Sequence, residues 1–302
     1  MTEVILEYIA PIAGFFFLGK ILRLFKVFGL ADGHRLLRFV FYIFLPALSF
    51  HVVANAPLSR DLMIVPFMPL AAMIVNFALV GVFLKFYPQT RAMVGVFFCA
   101  ALAMKSSFIL PFALAFYGED GFRAAVFFDI GNLFFIFTFV YFLAVKHSEK
   151  GIVCRKQIVR KFLGVPVLWA FLLGFLVVLF KIELPAPVGK FFEKASYTFT
   201  PLIMLAMGLS FNPKLKQIKM ASVVMAIRMV GGFLCGLLIT SVIPMDDLYK
   251  KVVVIGCAAP CGFTALIFAA QENHDECLAS TCVSLSILMG MVYIPFVVWL
   301  LG

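Results

Sequence analysis

Apolar residues fall along this chain in long unbroken blocks, not in the short alternations of a soluble fold. Ten blocks reach the ~20 residues that a helix needs to cross a hydrocarbon layer about 30 Å thick. They cover residues 4–24, 34–55, 62–86, 91–117, 121–146, 162–182, 188–211, 218–243, 250–271 and 277–301. In lipid only helices and closed barrels satisfy every backbone group, and blocks of this length read as helices. Polar residues collect between the blocks, the longest such stretch being about fifteen residues at 147–161. The pattern predicts an all-α integral membrane protein with ten transmembrane helices and no soluble catalytic domain. The start, Met1-Thr2-Glu3, lacks a basic stretch, and no small-residue cleavage site precedes Lys20. The first block is therefore expected to be a retained helix, not a removed signal peptide.

Composition strengthens this reading. Hydrophobic residues make up 64% of the 302 residues and charged residues 13%, against about 45–50% and about 25% in soluble domains. The net charge of +10 could suggest nucleic acid, but no basic stretch is interleaved with exposed aromatics. The cations instead orient the chain. Assigning loops alternately to two sides puts sixteen Lys and Arg on one side (Lys20 to Arg38, Lys85 and Arg91, Lys146 to Lys161, Lys214 to Lys219). Seven lie on the other (Arg60, Arg123, Lys181, Lys190, Lys194, Lys250 and Lys251). The positive-inside rule makes the first side cytoplasmic. Both termini are then outside, and a bacterial inner membrane is the expected location. The acidic loop 272–276 falls inside against this trend, but acidic residues carry little weight in the rule.

The seven cysteines are Cys99, Cys154, Cys235, Cys257, Cys261, Cys277 and Cys282. None lies in a predicted outer loop, so no disulfide framework is expected. The pairs Cys257/Cys261 and Cys277/Cys282 lie in apolar helices without a histidine at ligand spacing, so no metal is expected.

The ten blocks divide into five and five about the basic segment 147–161. Tyr42-Ile43-Phe44-Leu45-Pro46 in the second block matches Tyr197-Thr198-Phe199-Thr200-Pro201 in the seventh, and Asp120–Asp129 aligns with Asp275–Ser284. Pro111 in the fourth block matches Pro260 in the ninth. Residues 1–150 and 151–302 thus read as two repeats. With an odd number of crossings per repeat, the second copy runs through the membrane upside down. Inverted repeats are the architecture of many secondary transporters, because the two halves can exchange conformations.

Prolines inside helices free backbone groups that only protein or a wet cavity can satisfy at membrane depth. Paired breaks at Pro111 and Pro260 in blocks four and nine are therefore the best pointer to a binding site. Lys105, Ser106 and Ser107 precede the first proline; Cys261, Gly262 and Thr264 follow the second. Charges inside the blocks point to the same level. Lys105 lies fourteen residues past Arg91, about 21 Å into the membrane at the helical rise. Asp129 lies about 12 Å from the outer edge by the same measure, so neighbouring antiparallel helices would bring the two together as an ion pair, with Asn132 one turn deeper. Lys105 would attract an anion, while Asp129 would bind a proton or hold the lysine; a purely structural pair is the alternative. Arg228 lies nine residues from Lys219, within reach of the interface by snorkelling. Arg228 and Asn76 are read as accessory site residues or as structural contacts.

Enzyme motifs are missing. There is no H-E-x-x-H, no G-x-S-x-G and no G-x-x-x-x-G-K-[ST]. Without the last, ATP-driven transport within the chain is excluded, and the energy must come from a gradient or from the substrate itself. No cofactor is expected; proton coupling stays open.

Several segments resemble the auxin efflux carrier family. Phe41-Tyr42-Ile43-Phe44-Leu45-Pro46-Ala47-Leu48 is similar to its second-helix signature, and Pro201-Leu202-Ile203-Met204-Leu205-Ala206-Met207-Gly208-Leu209-Ser210 to its seventh. Ala258-Ala259-Pro260, Ala279-Ser280 and the Ser284/Ser286 segment resemble its last two helices. The resemblance covers nearly the whole chain. It implies two inverted repeats of five helices, related to the bile acid sodium symporter fold. Helices one, two, six and seven would form a scaffold. Helices three to five and eight to ten would form a moving transport domain, with broken helices four and nine crossing at their prolines. Family members include plant PIN carriers and bacterial permeases for malate, malonate and similar carboxylates. The short central segment is similar to the bacterial members, and the PIN carriers' dimers imply a homodimer through the scaffold helices.

One departure changes the expected coupling. Family members commonly carry Asn and glycines before the fourth-helix proline, where this chain has Met104-Lys105-Ser106-Ser107, and Thr264 stands where Asn is frequent. A lysine there would replace a coupling cation, making transport uncoupled or proton-linked. The expected function is a secondary transporter or uniporter of small organic anions, working by elevator-like alternating access. The alternatives are a sodium-coupled symporter, or a transport-dead sensor of the same fold.

Overall fold

The computed structural model describes residues 10–57, 59–148, 156, 159–160, 163–212 and 217–302. Glu3, Glu7, Lys150, Arg155, Lys161, Lys214, Lys216, Cys154 and the 150/151 repeat boundary lie outside the described residues. Apart from one isolated antiparallel bridge, the described residues contain only helices and connections. In chain order these are α1 (Ala10–Leu24), α2 (Leu30–Ala54), α3 (Arg60–Phe86), α4 (Arg91–Leu102) and α5 (Ser106–Lys146). They continue with α6 (Pro166–Leu179), α7 (Ala186–Ser210), α8 (Ile218–Val242), α9 (Asp247–Cys257), α10 (Phe263–Gln271) and α11 (Glu276–Leu300).

Among the described residues, α2, α3, α5, α8 and α11 are long and apolar enough to cross a membrane, and α4 and α6 are shorter apolar helices. Proline at a helix start fixes φ where no hydrogen bond is lost, and Pro166 and Pro187 open α6 and α7 this way. Helix α5 spans 41 residues, about 60 Å at the helical rise and twice the hydrocarbon thickness. It does not run straight. Gly118 takes φ 64 and ψ −161, a conformation that L side chains rarely adopt, and splits α5 within the connection predicted between blocks four and five. Blocks four and nine are each interrupted. Helix α4 stops at Leu102 before α5 starts at Ser106, and α9 stops at Cys257 before α10 starts at Phe263.

The outside is apolar. Phe25, Phe86, Val242 and Val292 are among many exposed large hydrophobics. The inside holds polar groups: Asn76, Ser106, Asp129, Asn132, Arg228 and Ser286 are all buried. A soluble protein sorts these residues the other way. The apolar exterior makes this a multi-pass membrane protein.

Two compact units form. One comprises residues 1–59, 110–126 and 163–211, and therefore α1, α2, α6, α7 and part of α5. Its α1 caps its α7: Arg23 Nη1 donates to the carbonyls of Leu209 (3.3 Å) and Phe211 (2.6 Å), and Lys20 Nζ lies 4.9 Å from the Phe211 ring centroid. Cations at a helix C-terminus meet its negative dipole end. The second unit comprises residues 60–109, 127–162 and 212–302. Each unit draws on both halves of the sequence, so the spatial division differs from the repeat division at 150/151. The interrupted helices α4/α5 and α9/α10 meet inside the second unit.

Candidate functional site

The breaks after α4 and α9 leave two short extended pieces, Ala103–Lys105 and Ala258–Gly262, and these pair. Met104 and Cys261 form an antiparallel bridge. The Lys105 amide donates to the Pro260 carbonyl at 2.8 Å, and the Gly262 amide donates to the Ala103 carbonyl at 2.7 Å. The bridge is symmetric: exchanging 103 with 260 and 105 with 262 maps one bond onto the other. Backbone groups freed by breaking two helices at depth thereby satisfy each other.

Four helix ends face this crossing. Helices α4 and α9 arrive with their C-terminal carbonyls; α5 and α10 leave with their N-terminal amides. The carbonyl ends are capped by one side chain. Arg228 is fully buried. Its Nε donates to the Ala259 carbonyl (3.1 Å), its Nη1 to the Ala101 carbonyl (3.2 Å), and its Nη2 to the Cys257 carbonyl. Asn76 Nδ2 adds a second bond to the Ala101 carbonyl at 3.1 Å. A guanidinium suits this task because its donors form a rigid planar fork. Arg228 thus does not snorkel to the interface; the π-helical turn at 226–231 directs it inward. It offsets the negative ends of both broken helices.

The positive ends differ. At α5, the Ser106 hydroxyl donates to the Asp129 carboxylate, and Asn132 Nδ2 donates to Ser106 Oγ (2.6 Å) and to the Met104 carbonyl (3.1 Å). Ser107 follows, buried, its amide facing the same carboxylate. This N-terminus already has an anion. At α10 the first turn holds no acidic residue. Of its first amides, that of Ala265 donates to the Gly262 carbonyl at 3.0 Å, which leaves those of Phe263 and Thr264 as the donors that a helix start does not satisfy. The ammonium of Lys105 lies there, 4.9 Å from the centroid of the Phe263 ring, a cation–π contact. Thr264 Oγ1 is buried without a hydrogen-bond partner among the described residues, as are Asn132 Oδ1 and Asn76 Oδ1.

Lys105, Ser106, Ser107, Asp129, Asn132, Pro260, Cys261, Gly262 and Thr264 therefore converge on one crossing, with Asn76 and Arg228 beside it. Pro111 does not join them; it lies within the helix that begins at Ser106. The symmetric partner of Pro260 is Ala103, so the first break carries no proline. The expected Lys105–Asp129 ion pair is also corrected. No ion pair within 4 Å joins them among the described residues; Ser106 holds the carboxylate and Phe263 faces the ammonium. Sequence reasoning missed Phe263 and Ser286. Ser286 Oγ accepts the Cys261 amide at 3.0 Å and donates to the Val283 carbonyl. Its signal was one of three serines, with Ser280 and Ser284, in an apolar helix.

Lys105 and Arg228 give the crossing two formal positive charges against the single negative charge of Asp129. Arg228 is committed to carbonyls, and the Asp129 charge acts on Lys105 from beyond ion-pair distance, so Lys105 is the cation that faces the first residue of α10. That arrangement suits an anion.

A family model described as "Membrane transport protein" matches residues 4–298. The chain is similar to an uncharacterized transporter of Methanothermobacter thermautotrophicus, 28% identical over 305 aligned residues that cover 97% of this chain and 96% of that protein. It is also similar to an uncharacterized transporter of Methanocaldococcus jannaschii, 23% identical over 196 residues, 63% of each chain.

Proposed function

The chain belongs to the membrane transport protein family, and on that premise we propose that it is a secondary transporter of small organic anions, carboxylates in particular. The observation that carries this reading is the N-terminus of α10. Lys105 stands over its first residue, its first turn contains no carboxylate, and Thr264 Oγ1 is buried and unpartnered. A substrate carboxylate placed there would accept from the Phe263 and Thr264 amides, from the Thr264 hydroxyl and from the ammonium together. Charge-assisted hydrogen bonds of this kind are the stronger ones.

In this reading Lys105, Thr264, Cys261 and Gly262 meet the substrate. Ser106, Ser107, Asp129 and Asn132 set the charge balance around the lysine, and Asn76 and Arg228 hold the crossing in shape. One interrupted helix in each half of the sequence, α4/α5 in the first and α9/α10 in the second, supports an origin in two inverted five-helix repeats with ten crossings. Transport would proceed by alternating access, the unit that contains the crossing carrying the substrate. The lysine charge would stand where a cation would otherwise be needed, so sodium would not drive the cycle. The location would be the bacterial inner membrane with both termini outside.

Uptake of radiolabelled C3 to C6 carboxylates into proteoliposomes tests this. Sodium-independent uptake that falls at least tenfold in Lys105→Gln is the expected result. Uptake that requires sodium, or is equal in wild type and variant, would defeat it.

A further inference from the structure

A groove of about 720 Å³ runs between α3 and α8, away from the crossing. Leu79, Val82, Phe83 and Phe86 line it from α3, and Val223, Ala226 and Ile227 from α8, with Tyr87 at one end. The α3 positions follow i, i+3, i+4 and i+7, one helix face. Val82 and Phe86 are exposed, so the groove opens to the surroundings of the helices.

Its walls are apolar, but its Tyr87 end is not. Lys219 lies four residues before Val223 and continues the groove face of α8. Lys85 lies three residues past Val82 in the last turn of α3, on the flank of the groove face and not among the residues that line it. Both lysines are exposed. Residues 84–90 and 217–223 contain no acidic side chain; one acid, Asp275, reaches the start of α8, its carboxylate accepting from Gln217 Nε2 at 2.7 Å. The end of α3 and the start of α8 lie at the same end of the groove, since Phe86 and Tyr87 share it with Val223, while Leu79 approaches Gly231 further along. An apolar slot with two ammonium groups and a phenol at one mouth complements an acyl chain with a negative head.

We infer that this groove is a binding site for an anionic phospholipid, its acyl chain along Leu79–Phe86 and its phosphate between Lys85, Lys219 and Tyr87. Basic pockets between membrane helices recognise headgroups in this way. The site connects to the crossing through one turn. The π-helical stretch 226–231 presents Ala226 and Ile227 to the groove and Arg228 to the carbonyls of Ala101, Cys257 and Ala259. π-bulges of this kind are frequent at functional sites. A lipid in the groove would brace the turn that places Arg228.

The test uses the full-length protein in mild detergent with phosphatidylglycerol or phosphatidylcholine of identical acyl chains. Lipid retention is read by native mass spectrometry, and melting temperature is read with each lipid added. Wild type is expected to retain phosphatidylglycerol preferentially and to be stabilised by it. Each of Lys85→Gln and Lys219→Gln should lower that preference about fivefold, the effect of one cation near a charged headgroup. The control Lys190→Gln/Lys194→Gln, exposed lysines of the other unit, should keep it. Equal retention of both lipids by wild type overturns the proposal. So does an undiminished preference in the double variant Lys85→Gln/Lys219→Gln, or an equal loss in the control. The melting readout remains decisive if retention is obscured by detergent: stabilisation by phosphatidylglycerol that survives in the double variant counts against the site.

Discussion

Replacing Arg228 with methionine removes the guanidinium while keeping a long side chain that fills the same space. Three carbonyls lose a donor. The Ala101 carbonyl keeps Asn76, so it remains satisfied. The carbonyls of Cys257 and Ala259 lose the donor that caps them, and both residues are fully buried. A buried acceptor left unmade costs about 1–3 kcal/mol, so two cost about 2–6 kcal/mol. The change also removes a buried cation, whose desolvation opposes folding, which argues for the lower part of that range. At about 2–4 °C per kcal/mol for a chain of this size, the lower part of the range, about 2–4 kcal/mol, lowers the melting temperature by roughly 4–16 °C. Arg228→Lys should recover only part of the loss, because an ammonium cannot bridge carbonyls from two helices with the geometry of a fork. The assay is thermal melting of purified protein without substrate, with the exposed Lys190→Met as the reference. An Arg228→Met protein that melts within about 2 °C of wild type would refute the capping role and return Arg228 to the list of substrate ligands.

Two further outcomes follow from the packing. Gly131 on α5 has no room for a side chain: a Cβ would run into the Pro66 carbonyl oxygen, whereas at Gly81 it would meet nothing within 4 Å. Gly131→Ala should therefore destabilise by about 1–3 kcal/mol and Gly81→Ala should not, and equal melting temperatures would contradict the α3–α5 contact. His274, in the turn between α10 and α11, is buried with Nε2 against the Ala144 carbonyl at 3.0 Å. Burial pushes its imidazole below the ordinary range, outweighing the opposing Ala144 carbonyl and Glu272, while His147 and Arg91 act with burial. The unfolded chain then takes up the proton more readily than the folded one. Stability from this group is present above about pH 6.5 and is lost as pH falls below it. The melting temperature should drop more between about pH 7.5 and about pH 5.5 in wild type than in His274→Gln; parallel curves would show that the imidazole does not couple to folding.

Much of the helical layout was legible because membrane helices are read from length and apolarity, which are strong signals. Gly118 broke α5 where the blocks suggested a connection. The position of the crossing was harder. Pro260 marks its own break, since a proline offers no amide to continue α9. Ala103 carries no such mark. The first break was signalled by Lys105-Ser106-Ser107 itself, a charge and two hydroxyls in an apolar block, while Pro111 drew attention because prolines usually announce breaks. It lies inside the helix that follows. Depth arithmetic placed Lys105 and Asp129 in one neighbourhood but could not see Ser106 between the carboxylate and Asn132, or Phe263 under the ammonium. Arg228 was misjudged for a definite reason. Counting from Lys219 gives a distance to the interface but not the direction of the side chain, and Arg228 sits inside the π turn with its guanidinium on buried carbonyls.

Binding of an anion at the crossing is the claim on which the functional account rests. It is tested most directly by thermal stabilisation of the purified protein with a panel of small carboxylates, with and without sodium, in wild type and Lys105→Ala. A ligand that binds the native state raises the melting temperature by mass action. The account predicts stabilisation by at least one carboxylate, undiminished without sodium and lost in Lys105→Ala. Stabilisation that persists in Lys105→Ala, or that no carboxylate produces, would contradict it and leave Lys105 as a structural partner of Phe263.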